Sequence, residues 1–175
     1  MTTDLRYPIG RFERAASHTK ASRAQAIDAI AEAPANLRRA TQGLTDTQLD
    51  TPYRPGGWTV RQLVHHVADS HMNAYVRTRL ALTEENPTIK PYDETKWAEL
   101  TDAKSLPVGV SLSLLDGIHE RWVSLLKTLA PAHFSRTLMH PDNGPMTLDN
   151  VLDTYSWHGK HHVAHVAELK KRSGW

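Results

Sequence analysis

The sequence predicts an all-α fold, an up-and-down four-helix bundle with one long crossover connection. Four long segments repeat apolar residues at helical spacing. No segment alternates apolar and polar residues over a useful strand length, and there is no internal repeat or low-complexity stretch. One connection, PTIKPYDETKWAEL, is far longer than a bundle needs, and such excursions usually cover or line something. Amphipathic helices without strands bury their stripes only against one another, which makes a bundle.

The first helix is expected from about Ser22 to Gln42, with Ile27, Ile30, Ala31 and Leu37 near helical spacing and Gly43 as its stop. Pro34 lies inside that run and should kink or split it. LTDTQLD offers a short helical turn, because Thr45 and Gln48 have capping-box spacing. TPYRPGGW reads as a loop that delivers Trp58 to a second capping pattern, Thr59 to Gln62. The second helix then follows Val60, Leu63, Val64, Val67, Ala74 and Tyr75 to about Glu85, before Pro87. Within the long excursion a short helix is expected around Glu94 to Leu100. The third helix fits Ser111 to Leu129, with Leu112, Leu115, Ile118, Trp122, Leu125, Leu126 and Leu129 inward. The fourth fits Thr147 to about Arg172 and ends at Ser173-Gly174.

At 175 residues the chain suits a single domain over 1–175, burying about 70% of the surface its unfolded form exposes. Basic residues exceed acidic ones by only two and are scattered, so no clustered face for nucleic acid is expected. No run approaches a membrane span, and MTTDLRYPIGRFER lacks the apolar core of a signal peptide, so a cytoplasmic protein is expected. The absence of cysteine excludes disulfides, thiolate zinc sites and a thiol nucleophile from the chain. Any metal must be held by histidine and carboxylate.

Eleven histidines make that possible, and four fall in YSWHGKHHVAHV. Around the fourth helix, Val151, Tyr155, His158, His162 and Leu169 share one stripe. His158 and His162 are one turn apart on it, with side chains starting about 5–6 Å apart. Two buried neutral imidazoles would each need a donor and an acceptor, and two protonated ones would repel at a desolvation cost. A divalent ion accepts a lone pair from each ring and removes both difficulties, in the H-x3-H geometry of paired helical ligands. His165 lies at the edge of the stripe and His161 further out. A third ligand should come from QLVHHVADSH, where periodicity does not choose among His65, His66 and His71.

The blocks LDTPYRPGGWTVRQLVHHVADSHMN, LTEENPTIKPYDETKWAEL and YSWHGKHHVAHVAELKKRSGW resemble the DinB/YfiT-like superfamily, specifically its YfiT-type members. With the opening DLRYPIG they span essentially the whole chain. The resemblance implies a four-helix bundle, a divalent-metal site of three histidines and, often, a homodimer. Matched residue by residue, its ligands fall on His66, His158 and His162, in agreement with the helical stripe. YfiT-type proteins are described as metal-dependent hydrolases, and other members resemble S-transferases that join bacillithiol-like or mycothiol-like thiols to electrophiles.

Three imidazoles leave coordination positions open, the arrangement of catalytic sites. Zinc is the expected ion and nickel the alternative, since imidazole suits both. For a hydrolase the ion would lower the pKa of water and polarise a substrate carbonyl. For an S-transferase it would hold a small-molecule thiol as thiolate. A non-catalytic metal- or ligand-binding module is the third possibility. Asp69, one turn beyond His66, is the candidate catalytic base, with Glu168 behind it; Trp58, Tyr92, Trp97 and Trp157 are candidate walls for a small-molecule substrate.

Overall fold

The computed structural model describes residues 4–175. Its long helices are α1 (Lys20–Thr41), α3 (Val60–Thr83), α6 (Val108–Lys127) and α7 (Leu148–Ser173), with short helices α2 (Asp46–Leu49), α4 (Glu94–Ala98) and α5 (Thr101–Ser105) between them. This is the expected four-helix bundle. α1 packs on α6 and α7, and so does α3, which leaves α1 and α3 across from one another.

The helices begin where local chemistry lets them. Thr19, Thr45, Thr59 and Thr147 each cap a helix in a reciprocal capping box, satisfying amides that have no partner within the helix. α7 ends on Gly174 in the left-handed region, φ 69°, where a side chain would be strained. α6 starts at Val108, earlier than Ser111, because Pro107 with its fixed φ serves as the cap. α1 continues as one helix through Pro34, so the proline does not split it.

The α6–α7 connection contains structure that the sequence pattern did not announce. A 3₁₀ turn (Pro131–Ser135) leads into an antiparallel hairpin, β1 (Thr137–His140) and β2 (Gly144–Thr147), with His140 opposite Gly144. Each strand has four residues, and β2 carries Pro145, so no alternation marks them. β1 also holds the long excursion after α3: the Ile89 amide donates to the Met139 carbonyl and the Met139 amide to the Pro87 carbonyl. The hairpin and the excursion together roof one side of the bundle.

The core divides into two apolar clusters. One contains Ile27, Ile30, Trp122, Leu126, Leu148 and Leu152; the other contains Leu37, Leu63, Val64, Leu115, Val166 and Leu169. On every long helix the boundary between them falls at a distinctive residue: Pro34 on α1, His71 on α3, His119 on α6, and His158 with His162 on α7. A layer of imidazoles therefore crosses the middle of the bundle. Gly159 lets α7 approach α1 at this level, because a Cβ there would lie 2.9 Å from the Ala33 Cβ.

Candidate metal centre

His158 and His162 project from successive turns of α7, and His66 meets them from α3. The His158 Nε2 lies 3.3 Å from the His66 Nε2 and 3.1 Å from the His162 Nε2. Two atoms bound tetrahedrally at about 2.0–2.1 Å from one ion are about 3.3–3.4 Å apart, so these spacings fit ligands sharing an ion. Among the described residues, this trio is the cluster of His, Asp or Glu side chains whose donor atoms approach one another closely enough to hold a metal.

Burial keeps the three rings in their neutral, lone-pair-bearing form. Burial pushes the His66 imidazole down to about 4 and holds His158 and His162 well below the usual histidine range, with the neighbouring imidazoles adding to the effect. All three rings are thus neutral at pH 7 and offer lone pairs without a competing proton. The His162 Nδ1 is buried without a hydrogen-bond partner, and Trp58 packs on His66 with ring centroids 4.7 Å apart.

The trio floors a cavity of about 430 Å³ whose walls include Trp58, Ser70, Arg77, Tyr92, Tyr155 and, from the hairpin, His140 and Asp142. The Ser70 hydroxyl faces the Tyr155 hydroxyl at 3.5 Å, and Arg77 lines the same cavity as Tyr155. Burial raises the Tyr92 phenol to about 12 and raises Tyr155 as well, so both remain donors.

The other sequence candidates separate clearly. His65 is occupied elsewhere: its Nδ1 meets the Ser111 hydroxyl at 2.7 Å and its Nε2 the Leu106 carbonyl at 3.1 Å. Those bonds use both ring nitrogens to tie α3 to the start of α6. His71 is fully buried behind His158, with its Nε2 3.1 Å from the His158 Nδ1. Asp69 is half-buried beside the cavity and outside its lining; burial, reinforced by Asp102, raises its carboxyl to about 6. Glu168 is half-buried and also outside the lining. Trp58 and Tyr92 are cavity walls, whereas Trp97 backs Tyr92 at 4.4 Å between ring centroids.

Trp157 belongs to a different cluster. It stacks on His161 at 4.2 Å, and the His161 Nε2 lies 3.0 Å from the His165 Nε2. His161, expected further out, is buried with His165. Tyr53 packs on His165, while Phe12 from the segment before α1 packs on Trp157. A helical wheel of α7 contains neither cover. His119 was also missed: it is a lone histidine on an apolar face, which by itself gives no signal.

Comparison with known proteins agrees with this architecture. A Bacillus subtilis protein named "Putative metal-dependent hydrolase YfiT" is 50% identical over 175 residues, covering 99% of this chain and 98% of the relative. A Bacillus mycoides protein bearing the same functional name is 54% identical over 172 residues, covering 98% of this chain and 99% of its own. The solved structure of Bacillus subtilis YfiT, a four-helix bundle of unusual topology, superposes with a TM-score of 0.95 at 51% identity, over 98% of each chain. The four-helix bundle protein TT2238 shares the fold at a TM-score of 0.58 and 19% identity, over 87% of this chain and 99% of its own. Residues 11–166 match the DinB superfamily over all four long helices up to the last turns of α7. With that match and relatives identical at half their positions over nearly their whole length, the chain belongs to the DinB superfamily.

Proposed function

We propose that the chain is a metal-dependent enzyme that holds one divalent ion on His66, His158 and His162 and hydrolyses a small-molecule substrate. The carrying observation is the convergence of three neutral imidazole nitrogens, 3.1 and 3.3 Å apart, on the floor of a substrate-sized cavity. Three acceptor lone pairs facing one another repel unless a cation or a shared proton lies between them. A divalent ion with open positions supplies Lewis acidity and lowers the pKa of water to about 7. Imidazole donors accept zinc, nickel, copper or iron; zinc is the proposed ion, with nickel the alternative.

The chain's own residues supply the rest of the chemistry. Tyr155 and Tyr92 stay protonated and donate toward a substrate oxygen above the trio. Arg77 holds positive charge in the same wall and orients an anionic substrate group. Asp69, raised to about 6, has the basicity for proton transfer near neutral pH and is assigned as an acceptor one step removed from the substrate. Trp58 shields His66 from water.

The same cavity supports transfer of a small-molecule thiol to an electrophile as a second reading. The chain has no cysteine, so the sulfur would arrive with the substrate. Untagged, zinc-loaded protein should be offered a panel of esters and amides, and separately a thiol with monochlorobimane. Ester or amide turnover lost in His162→Ala supports hydrolysis, and conjugation lost in the same variant supports transfer. Metal binding with neither activity would reduce the protein to a binding module. Self-association is proposed through Leu106, Val110 and Leu114, exposed at 43, 56 and 44% and spaced four apart, and sedimentation velocity checks it.

A further inference from the structure

Behind His158 runs a row of hydrogen-bonded groups that crosses the bundle to α1. The His158 Nδ1 lies 3.1 Å from the His71 Nε2, the His71 Nδ1 lies 2.8 Å from the His119 Nε2, and the His119 Nδ1 lies 2.7 Å from the Ile30 carbonyl oxygen. His71 and His119 are almost completely inaccessible, so water supplies them no alternative partners. We propose that His71 and His119 are positioning residues that lock His158 in its Nδ1–H tautomer and so present the His158 Nε2 lone pair to the metal. This rests on the reading of His66, His158 and His162 as ligands.

The direction of every bond follows from the last one. A carbonyl only accepts, so the His119 Nδ1 must carry a proton. Burial keeps His119 neutral, so its Nε2 is a lone pair and must receive the His71 Nδ1–H. The His71 Nε2 is then the acceptor, and the His158 Nδ1 must donate to it. Each ring has a single arrangement that satisfies its neighbours, and the row leaves the His158 Nε2 unprotonated on the cavity side.

The α1 proline explains why the row can end where it does. In an α-helix the Ile30 carbonyl would accept the amide of residue 34, and residue 34 is a proline with no amide proton. Pro34 thereby frees the Ile30 carbonyl, and His119 fills the vacancy from α6. The row does not conduct protons, because a carbonyl terminus has none to pass on. It holds an orientation.

The decisive measurement reads tautomers in metal-free protein. Long-range ¹H–¹⁵N correlation spectra of histidine-labelled, chelated protein should show His158, His71 and His119 all protonated at Nδ1; finding His71 or His119 protonated at Nε2 overturns the proposal whether or not metal binds. Zinc affinity, measured by chelator competition with folding checked by circular dichroism, gives the second readout. His119→Leu removes the acceptor for His71 and should weaken zinc binding about 10- to 100-fold, the usual effect of losing a partner behind a metal ligand. His119→Gln returns an acceptor oxygen and should restore most of that loss. A folded Leu variant with unchanged affinity, or a Gln variant as weak as the Leu variant, contradicts the proposal. Absence of zinc binding by the wild-type protein would instead refute the metal reading and leave the tautomer result standing.

Discussion

Burying so many imidazoles as neutral bases makes metal-free stability depend steeply on pH. His66, His119 and His161 are each pushed down to about 4 and His165 to about 3, all mainly by burial. In the unfolded chain the same groups titrate near 6.5. As pH falls below 6.5 the unfolded state takes up protons that the native state refuses, so stability falls with pH and is recovered as pH rises. Moving from pH 7.5 to 5.5 costs roughly 1–1.5 kcal/mol per group, or about 5 kcal/mol for the four. His71, His158 and His162 shift in the same direction and add to this loss. The total is comparable with the whole stability of an ordinary domain, about 5–15 kcal/mol. Urea unfolding of chelated protein, followed by tryptophan fluorescence, should show the midpoint falling by about 2 M between these two pH values at a constant slope. A midpoint that moves by less than about 0.5 M would refute the burial of these rings as neutral bases.

Other consequences are equally direct. Zinc at about 100 times its Kd should stabilise the wild-type protein by about 2.7 kcal/mol and raise Tm by roughly 5–10 °C, while His162→Ala shows no shift in a thermal scan. Gly159→Ala places a methyl group 2.9 Å from the Ala33 Cβ, so despite better helix propensity it should destabilise by about 1–3 kcal/mol in urea unfolding. Thr59→Ala removes the capping bond to the Gln62 amide at the start of the helix that carries His66 and should cost about 1 kcal/mol by the same assay. Arg61→Met takes away the donor to the Leu106 carbonyl and the forked contacts to Asp46 and Asp50, and should cost about 1–3 kcal/mol.

What the sequence could reveal was set by how local the cause was. His158 and His162 stand one turn apart on a stripe that α7 itself defines, so periodicity placed them together. The choice among His65, His66 and His71 was different, because α3 buries all three, at 6, 8 and 0% exposure. What separates them is what faces them: Ser111 and Leu106 for His65, His119 and His158 for His71, and the α7 pair for His66. Spacing along one helix carries none of that, and only the resemblance to the superfamily chose His66. Pro34 was legible as a disturbance of α1, but its consequence depended on a histidine 85 residues away on another helix. The hairpin escaped because four-residue strands bearing a proline have no pattern to detect. The wheel of α7 puts His165 at the edge of its stripe and His161 further out, and both are buried because Tyr53 and the segment carrying Phe12 come from elsewhere to cover this cluster.

If His66, His158 and His162 share one divalent ion, the metal must depend on His66 and not on its neighbour His65. Elemental analysis of untagged protein, chelated, reloaded with zinc and desalted, measures this dependence most directly when wild type is compared with His66→Ala and His65→Ala. Wild type and His65→Ala should each carry one zinc per chain, and His66→Ala should lose stoichiometric zinc. No stoichiometric zinc in the wild type, or full occupancy in His66→Ala, would contradict the shared site.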